Sequence, residues 1–238
     1  STATVEETEL VEENTTEKIS EDTTEEEAEK DSGVEEIGFY KIEVESGTLV
    51  EYTGDEEDIE IPSELNGIEV KALGNDLFAH KGINSVIIPE SVVSIGRRVF
   101  VDNNLTEIIL HDNIEEIEEG AFKENKLKTV KIPEAIDTIF GQVFYDNELE
   151  SVELPSKLVK IRNSAFAKNK LKEIVLPEGI EAIGMQAFME NELENISLPS
   201  SLKEIGARSF SDNNLTEVEL PLDAKRIDHE AFINNNIF

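Results

Sequence analysis

Cysteine and tryptophan are absent from the 238 residues, and histidine occurs only three times. Without cysteine there is no disulfide, no thiolate nucleophile and no sulfur ligand for zinc, although the absence fits an exported protein and a cytosolic one equally well. His80, His111 and His229 are scattered, and the one adjacent His-Asp pair, His111-Asp112, is poor geometry for a relay because neighbours on a strand point to opposite faces. Lysine and arginine are also scarce, 21 against 54 aspartates and glutamates, for a net charge of −33. Nucleic acid and anionic membranes are recognised by clustered basic residues, so neither is expected as a partner. No apolar run is long enough to span a bilayer, so no membrane insertion is expected, and no phosphate-binding glycine loop occurs. The cluster Asp55-Glu56-Glu57-Asp58 could hold calcium weakly, but it lacks the alternating ligand loop of a dedicated site. The expectation is a non-enzyme with no cofactor and no metal.

What is present is a 22-residue period. Val86, Ile108, Val130, Val152, Ile174, Ile196 and Val218 stand at the same point of successive segments, within a frame N-x-L-x-x-[VI]-x-[LI]-P-x-x-[LIV]-x-x-I-G-x-x-[AV]-F. This apolar spacing fits neither one helix nor one long strand, so each unit must bend back on itself. A unit of that size cannot enclose a core, and burial must come from stacking on its neighbours. Phe78, Phe100, Phe122, Phe144, Phe166, Phe188, Phe210 and Phe232, eight of the eleven phenylalanines, are therefore read as a core ladder. The asparagines at 103, 125, 147, 169, 191, 213 and 235 are read as structural, since a buried amide needs its donors and acceptors paired and a stacked turn can pair them. Pro89, Pro133, Pro155, Pro177, Pro199 and Pro221 end the strand of each unit, because proline cannot donate to a ladder.

The frame resembles the BspA-like, treponemal-type leucine-rich repeat family, whose line L-x-x-[IV]-x-[LI]-P-x-x-[LIV]-x-x-I-G-x-x-A-F is met at every defined position by Leu171–Phe188 and followed by Leu193–Phe210. The similarity runs from Ile59 to Phe238, and Gly38–Pro62 resembles the lead-in that closes the first repeat. The unit here is one residue shorter than the family's common one, and asparagine stands where the family often has cysteine. The resemblance implies a leucine-rich-repeat solenoid: a right-handed stack of about eight short-strand units, mainly β with irregular or short helical turns. It also implies an adhesion-related protein of a bacterial surface or secreted fraction.

Three regions are expected. Residues 1–36 hold fifteen Asp and Glu against Lys18 and Lys30 and read as a disordered acidic leader. Residues 37–85 read as an N-terminal cap with a first atypical repeat, and 86–238 as seven repeats, the last cut short. The chain is expected to continue beyond Phe238, with any export signal or anchor outside the sequence. Alternation along L-x-x-[VI]-x-[LI] turns two rows outward: Glu107, Thr129, Ser151, Glu173, Asn195, Glu217, and Ile87, Ile109, Lys131, Glu153, Val175, Ser197, Glu219. Exposed points that vary between units are where a solenoid carries its binding chemistry. Ile87, Ile109, His111, Lys131, Glu107 and Thr129 are the candidate contact residues for a protein partner, possible sources being host surface or matrix proteins; the oligomeric state is open. The alternative is a structural spacer or stalk, and a polysaccharide-binding module would want more surface Trp and Tyr than the three tyrosines supply.

Overall fold

The computed structural model describes residues 33–237, and the acidic segment 1–32 lies outside them. The described chain opens with an antiparallel meander of β1 (Val34–Ile37), β2 (Tyr40–Glu43) and β3 (Thr48–Tyr52). The last positions of the expected leader, Val34 to Glu36, thus belong to a strand, because pairing with Lys41 to Glu43 satisfies their backbone. There follow β4 (Asp58–Glu60), β5 (Glu64–Leu65), β6 (Ile68–Glu69), β7 (Ala72–Leu73), β8 (Ser85–Ile87), β9 (Ser94–Ile95) and β10 (Glu116–Ile117). The hairpin of β5 and β6 turns through Asn66-Gly67, both at positive φ, the residue pair that a two-residue hairpin loop favours. The remaining strands are β11 (Thr129–Lys131), β12 (Thr138–Ile139), β13 (Ser151–Glu153), β14 (Lys160–Ile161), β15 (Ala182–Ile183), β16 (Glu204–Ile205) and β17 (Arg226–Ile227). Among the described residues there is no helix, so the turns are of the irregular kind.

Two sheets run along the stack, β1-β2-β3-β7-β9-β10, which is parallel from β3 onward, and the all-parallel β12-β14-β15-β16-β17. Each partner is 22 residues away within the repeats, as in Ile161↔Ile183 and Ile183↔Ile205. Units approach closely here: a Cβ on Gly206 would lie 2.6 Å from the Gly184 carbonyl carbon, so only glycine fits. The strand expected around Val86 to Val218 is more broken, with pairs β4–β8 and β11–β13 and one bridge, Val175↔Ser197.

The third side of each unit is the turn around the phenylalanine. Residues two before and two after each Phe have positive φ, as in Asp76 and His80, Arg98 and Asp102, or Ser164 and Lys168. Alternating the backbone hand this way sends the N–H groups of these residues and of the Phe itself toward the following unit. Phe78 donates to the Val99 carbonyl, Phe166 to Ala187 and Phe210 to Ala231, in a series from Asp76 to Ile233 that is interrupted at Arg208, with lengths of 2.8 to 3.1 Å. The Phe rings stack with centroids 5.3 to 5.7 Å apart and planes within 13°. Tyr52, Tyr40 and Phe39 continue the column into the cap.

Each asparagine of the row ties two units together. Asn147 Oδ1 accepts from the Leu127 N–H at 3.1 Å, and its Nδ2 donates to the Phe122 carbonyl at 2.9 Å. The pattern repeats at Asn125, Asn169, Asn191, Asn213 and Asn235. The amides are thus paired, and all but that of Asn235 are buried, as the cost of an unpaired amide requires.

Candidate recognition face

Pleating places every member of the two outward rows in solvent, while Val86, Ile108, Val130 and Ile174 between them are buried. Ile87, Ile109 and Lys131 are consecutive members of one row, and Glu107 and Thr129 are neighbours in the other. Ile87 is 62% exposed and Ile109 82%. Further along the same row Val175 is also 82% exposed, whereas Lys131, Glu153, Ser197 and Glu219 are polar. In register, β11 and β13 set Lys131 beside Glu153 and Thr129 beside Ser151.

His111 does not join this face. Its side chain is only 7% exposed, since it occupies the strand-ending position that proline fills in other units and turns inward with it. Nε2 lies 2.9 Å from the Pro89 carbonyl and donates to it, and Nδ1 is 3.6 Å from a Glu90 carboxylate oxygen. The expected partnership of an exposed apolar pair with an accessible imidazole is therefore corrected: the ring links successive units. His80 instead contacts Asp102 at 2.9 Å on the surface.

The acidic cluster at 55–58 is used for local bonding. Tyr52 donates to Glu56, Asn84 to Glu57 at 2.8 Å, and Ser85 to Asp58. The Tyr52 hydrogen bond holds the Glu56 carboxyl below the ordinary carboxylate range. Burial, with help from the Glu56 charge, pushes the Tyr40 phenol up to about 12. Among the described residues no group of three or more His, Asp and Glu side chains is placed to hold a metal, and no helix is long and apolar enough to cross a membrane.

Val175, in the same outward row as Ile87 and Ile109, is a further exposed apolar side chain outside the sequence-derived set.

Parallel two- and three-residue strands at a fixed step, with apolar side chains stacked in ladders, define a leucine-rich-repeat solenoid. The chain belongs to the BspA-type leucine-rich repeat family, whose model matches residues 71–190 and 159–238 with 6 copies. Solved structures share the fold. A leucine-rich cell surface protein of Faecalibacterium prausnitzii is 20% identical with a TM-score of 0.57 over 76% of this chain and 70% of its own. A leucine-rich repeat protein of Bacteroides ovatus is 24% identical, TM-score 0.62, over 80% of this chain and 59% of its own. The pneumococcal vaccine antigen PcpA is 17% identical, TM-score 0.59, over 80% and 71%. No curated protein matches the sequence.

Proposed function

We propose that this chain is a non-catalytic protein-recognition module, adhesin-like, of a bacterial cell-surface or secreted protein, which binds through the outward strand face. The observation that carries the reading is the row holding Ile87, Ile109 and Val175, exposed apolar side chains at points where other units are polar. Covering one such side chain is worth about 1.5–3 kcal/mol, so a few suffice as anchors inside a polar rim. The rigid ladders beneath fix the spacing of the anchors, and recognition is geometric presentation with no bond chemistry. The similarity to a cell-surface protein of F. prausnitzii supports the location.

Immobilised chain offered host-cell surface proteins and purified matrix components tests this, with a folded Ile109→Ser variant in parallel. A partner held by the wild type and released by the variant is the expected result. A partner held equally by both would remove the strand face from the reading. Absence of any partner would favour the spacer, which the turn ladder running from Asp76 to Ile233 also suits.

A further inference from the structure

We infer that two copies of this chain associate face to face and running in opposite directions, through a ridge of alternating charge that complements itself only when one copy is turned end for end. This association uses a different set of side chains from the strand-face reading and does not depend on it.

The residues on either side of the leucine that leads into each strand segment alternate in sign from unit to unit. The sequence reads Lys126-Leu127-Lys128, then Glu148-Leu149-Glu150, then Lys170-Leu171-Lys172, then Glu192-Leu193-Glu194. The flanking units are uncharged at these points, with Asn104 and Thr106 before and Asn214 and Thr216 after. Each of the four leucines is fully buried, so its two neighbours turn outward; all the charged ones are exposed except Glu148, which is half-buried. Backbone bonds hold the columns in register: the Glu148 N–H donates to the Leu127 carbonyl at 3.1 Å, Lys170 to Leu149 at 2.9 Å and Glu192 to Leu171 at 3.0 Å. Charges of one sign therefore form bars across the ridge, one bar per unit, at the 5.3 to 5.7 Å step of the phenylalanine stack.

Alternation inside one chain removes the repulsion that like charges stacked at this step would feel, but it leaves most of the charges unspent. Among the described residues, Lys170 and Glu148 at 2.9 Å are the one neighbouring pair along the two columns that comes within 4.0 Å. The run is also antisymmetric. Read backwards about its midpoint, between Glu148 and Lys170, every lysine falls on a glutamate, and the uncharged unit at one end falls on its counterpart at the other. A two-fold axis across the ridge at that point sets Lys126 against Glu192 of the second copy and Glu148 against its Lys170. The other column matches Lys128 with Glu194 and Glu150 with Lys172, and each contact occurs twice, as an isologous interface requires. In the next column the only like pair is Glu107 against Glu217, at the two ends.

Other pairings are penalised. Copies running the same way in register would set lysine on lysine, and the turn row of Asp102, Glu124 and Asp146 would set acid on acid. In a chain of net charge −33, the ridge lets two copies meet with opposite charges facing. Exposed charge pairs fix orientation and partner more than they add affinity, so the dimer should be weak. At about 0.15 M salt the Debye length of about 8 Å damps the chain-wide repulsion while the contacts act, and at about 1 M, near 3 Å, the contacts are screened too.

The test is analytical ultracentrifugation of the full chain at about 0.15 M sodium chloride, taken up to about 1 mM protein, where a complex with a Kd of about 1 mM is still visible. Two variants break the pattern from opposite ends, Lys126→Glu/Lys128→Glu and Glu192→Lys/Glu194→Lys. Expected are a wild-type dimer that is lost at about 1 M salt and weakens about tenfold or more in each variant alone. An equimolar mixture of the two variants should restore it, because the introduced glutamates of one then meet the introduced lysines of the other. Damaged folding cannot imitate a rescue by mixing, and Lys126→Gln/Lys128→Gln, which only removes charge, should weaken the dimer less and serves if a reversed pair unfolds. A wild type that stays monomeric throughout, a dimer that survives about 1 M salt, equal dimerisation in the variants, or no rescue from two folded variants would overturn the inference. Self-association is read without any foreign partner, so either outcome leaves the strand-face reading to its own test.

Discussion

At the scale of single residues, the stack uses each phenylalanine twice, once against the ring before it and once against the ring after. Phe166 lies between Phe144 at 5.6 Å and Phe188 at 5.4 Å and is fully buried, while Phe232 has a described ring neighbour on one side only and is partly buried. Phe166→Ala should therefore cost about 3–5 kcal/mol, the usual range for a large buried aromatic, and leave a cavity at mid-stack. Phe232→Ala should cost less than half as much. Chemical denaturation followed by circular dichroism measures both, and equal shifts would mean that the ladder is not the core. The asparagines obey the same two-sided logic through hydrogen bonds, because the carbonyl oxygen of each amide serves the preceding unit and its nitrogen serves both.

Among elements, the segment most regular in backbone bonding is the turn around the phenylalanine. Its peptide units point N–H forward and C=O backward in every repeat, so neighbouring units join head to tail as peptides do along a helix. The sheet on the next side is interrupted. Among the described residues no backbone bond joins Glu115–Glu118 to Asp137–Phe140, although Glu118 donates to Ile95 at 2.9 Å and Arg162 to Ile139 at 2.9 Å on either side. At the break Phe140 stands in place of the usual glycine, with Arg162 over its ring at 5.0 Å. Hydrogen exchange should find the Phe140 amide at least about tenfold less protected than those of Arg162, Gly184 and Gly206, since local protection follows the bond that must open. Equal protection would show that the sheet is continuous in solution.

The period, the phenylalanine core, the role of asparagine and the inward–outward alternation of the strand were all legible in the sequence, because each depends on side-chain type at a fixed spacing. The turn ladder was not. Its left-handed positions include a single glycine, Gly120, and although Asp76, Asp102, Asp146, Asp212 and Asn234 are of a type that tolerates positive φ, the rest are mostly Arg, Glu, Gln, Ser and Lys, which do not announce it. Stacking bonds, not local preference, hold those residues there. The orientation of His111 was equally hidden, because the sequence shows a histidine in a proline's place but not that it keeps the proline's direction.

For the whole molecule the governing quantity is the net charge of −33. The ion pairs that oppose it are few and exposed, and such pairs contribute little. Hydrogen bonding by Lys170, Lys203 and Arg208 holds Glu148, Glu181 and Glu230 below the ordinary carboxylate range. Their folded-state affinity for protons is thus lower than in the unfolded chain, so their small contribution is present above the ordinary carboxylate pKa and fades as pH falls through the depressed values. Added salt weakens these pairs, but it also screens the mutual repulsion of fifty-four carboxylates against twenty-one bases, which is strongest when the chain is compact. The repulsion involves far more charges, so screening should win. The melting temperature at neutral pH should rise as sodium chloride goes from about 0.01 M to about 0.15 M, over which the Debye length falls from about 30 Å to about 8 Å. Differential scanning calorimetry at fixed pH decides it: a melting temperature that falls over that range would mean that the inter-unit ion pairs outweigh the self-repulsion of the acidic surface.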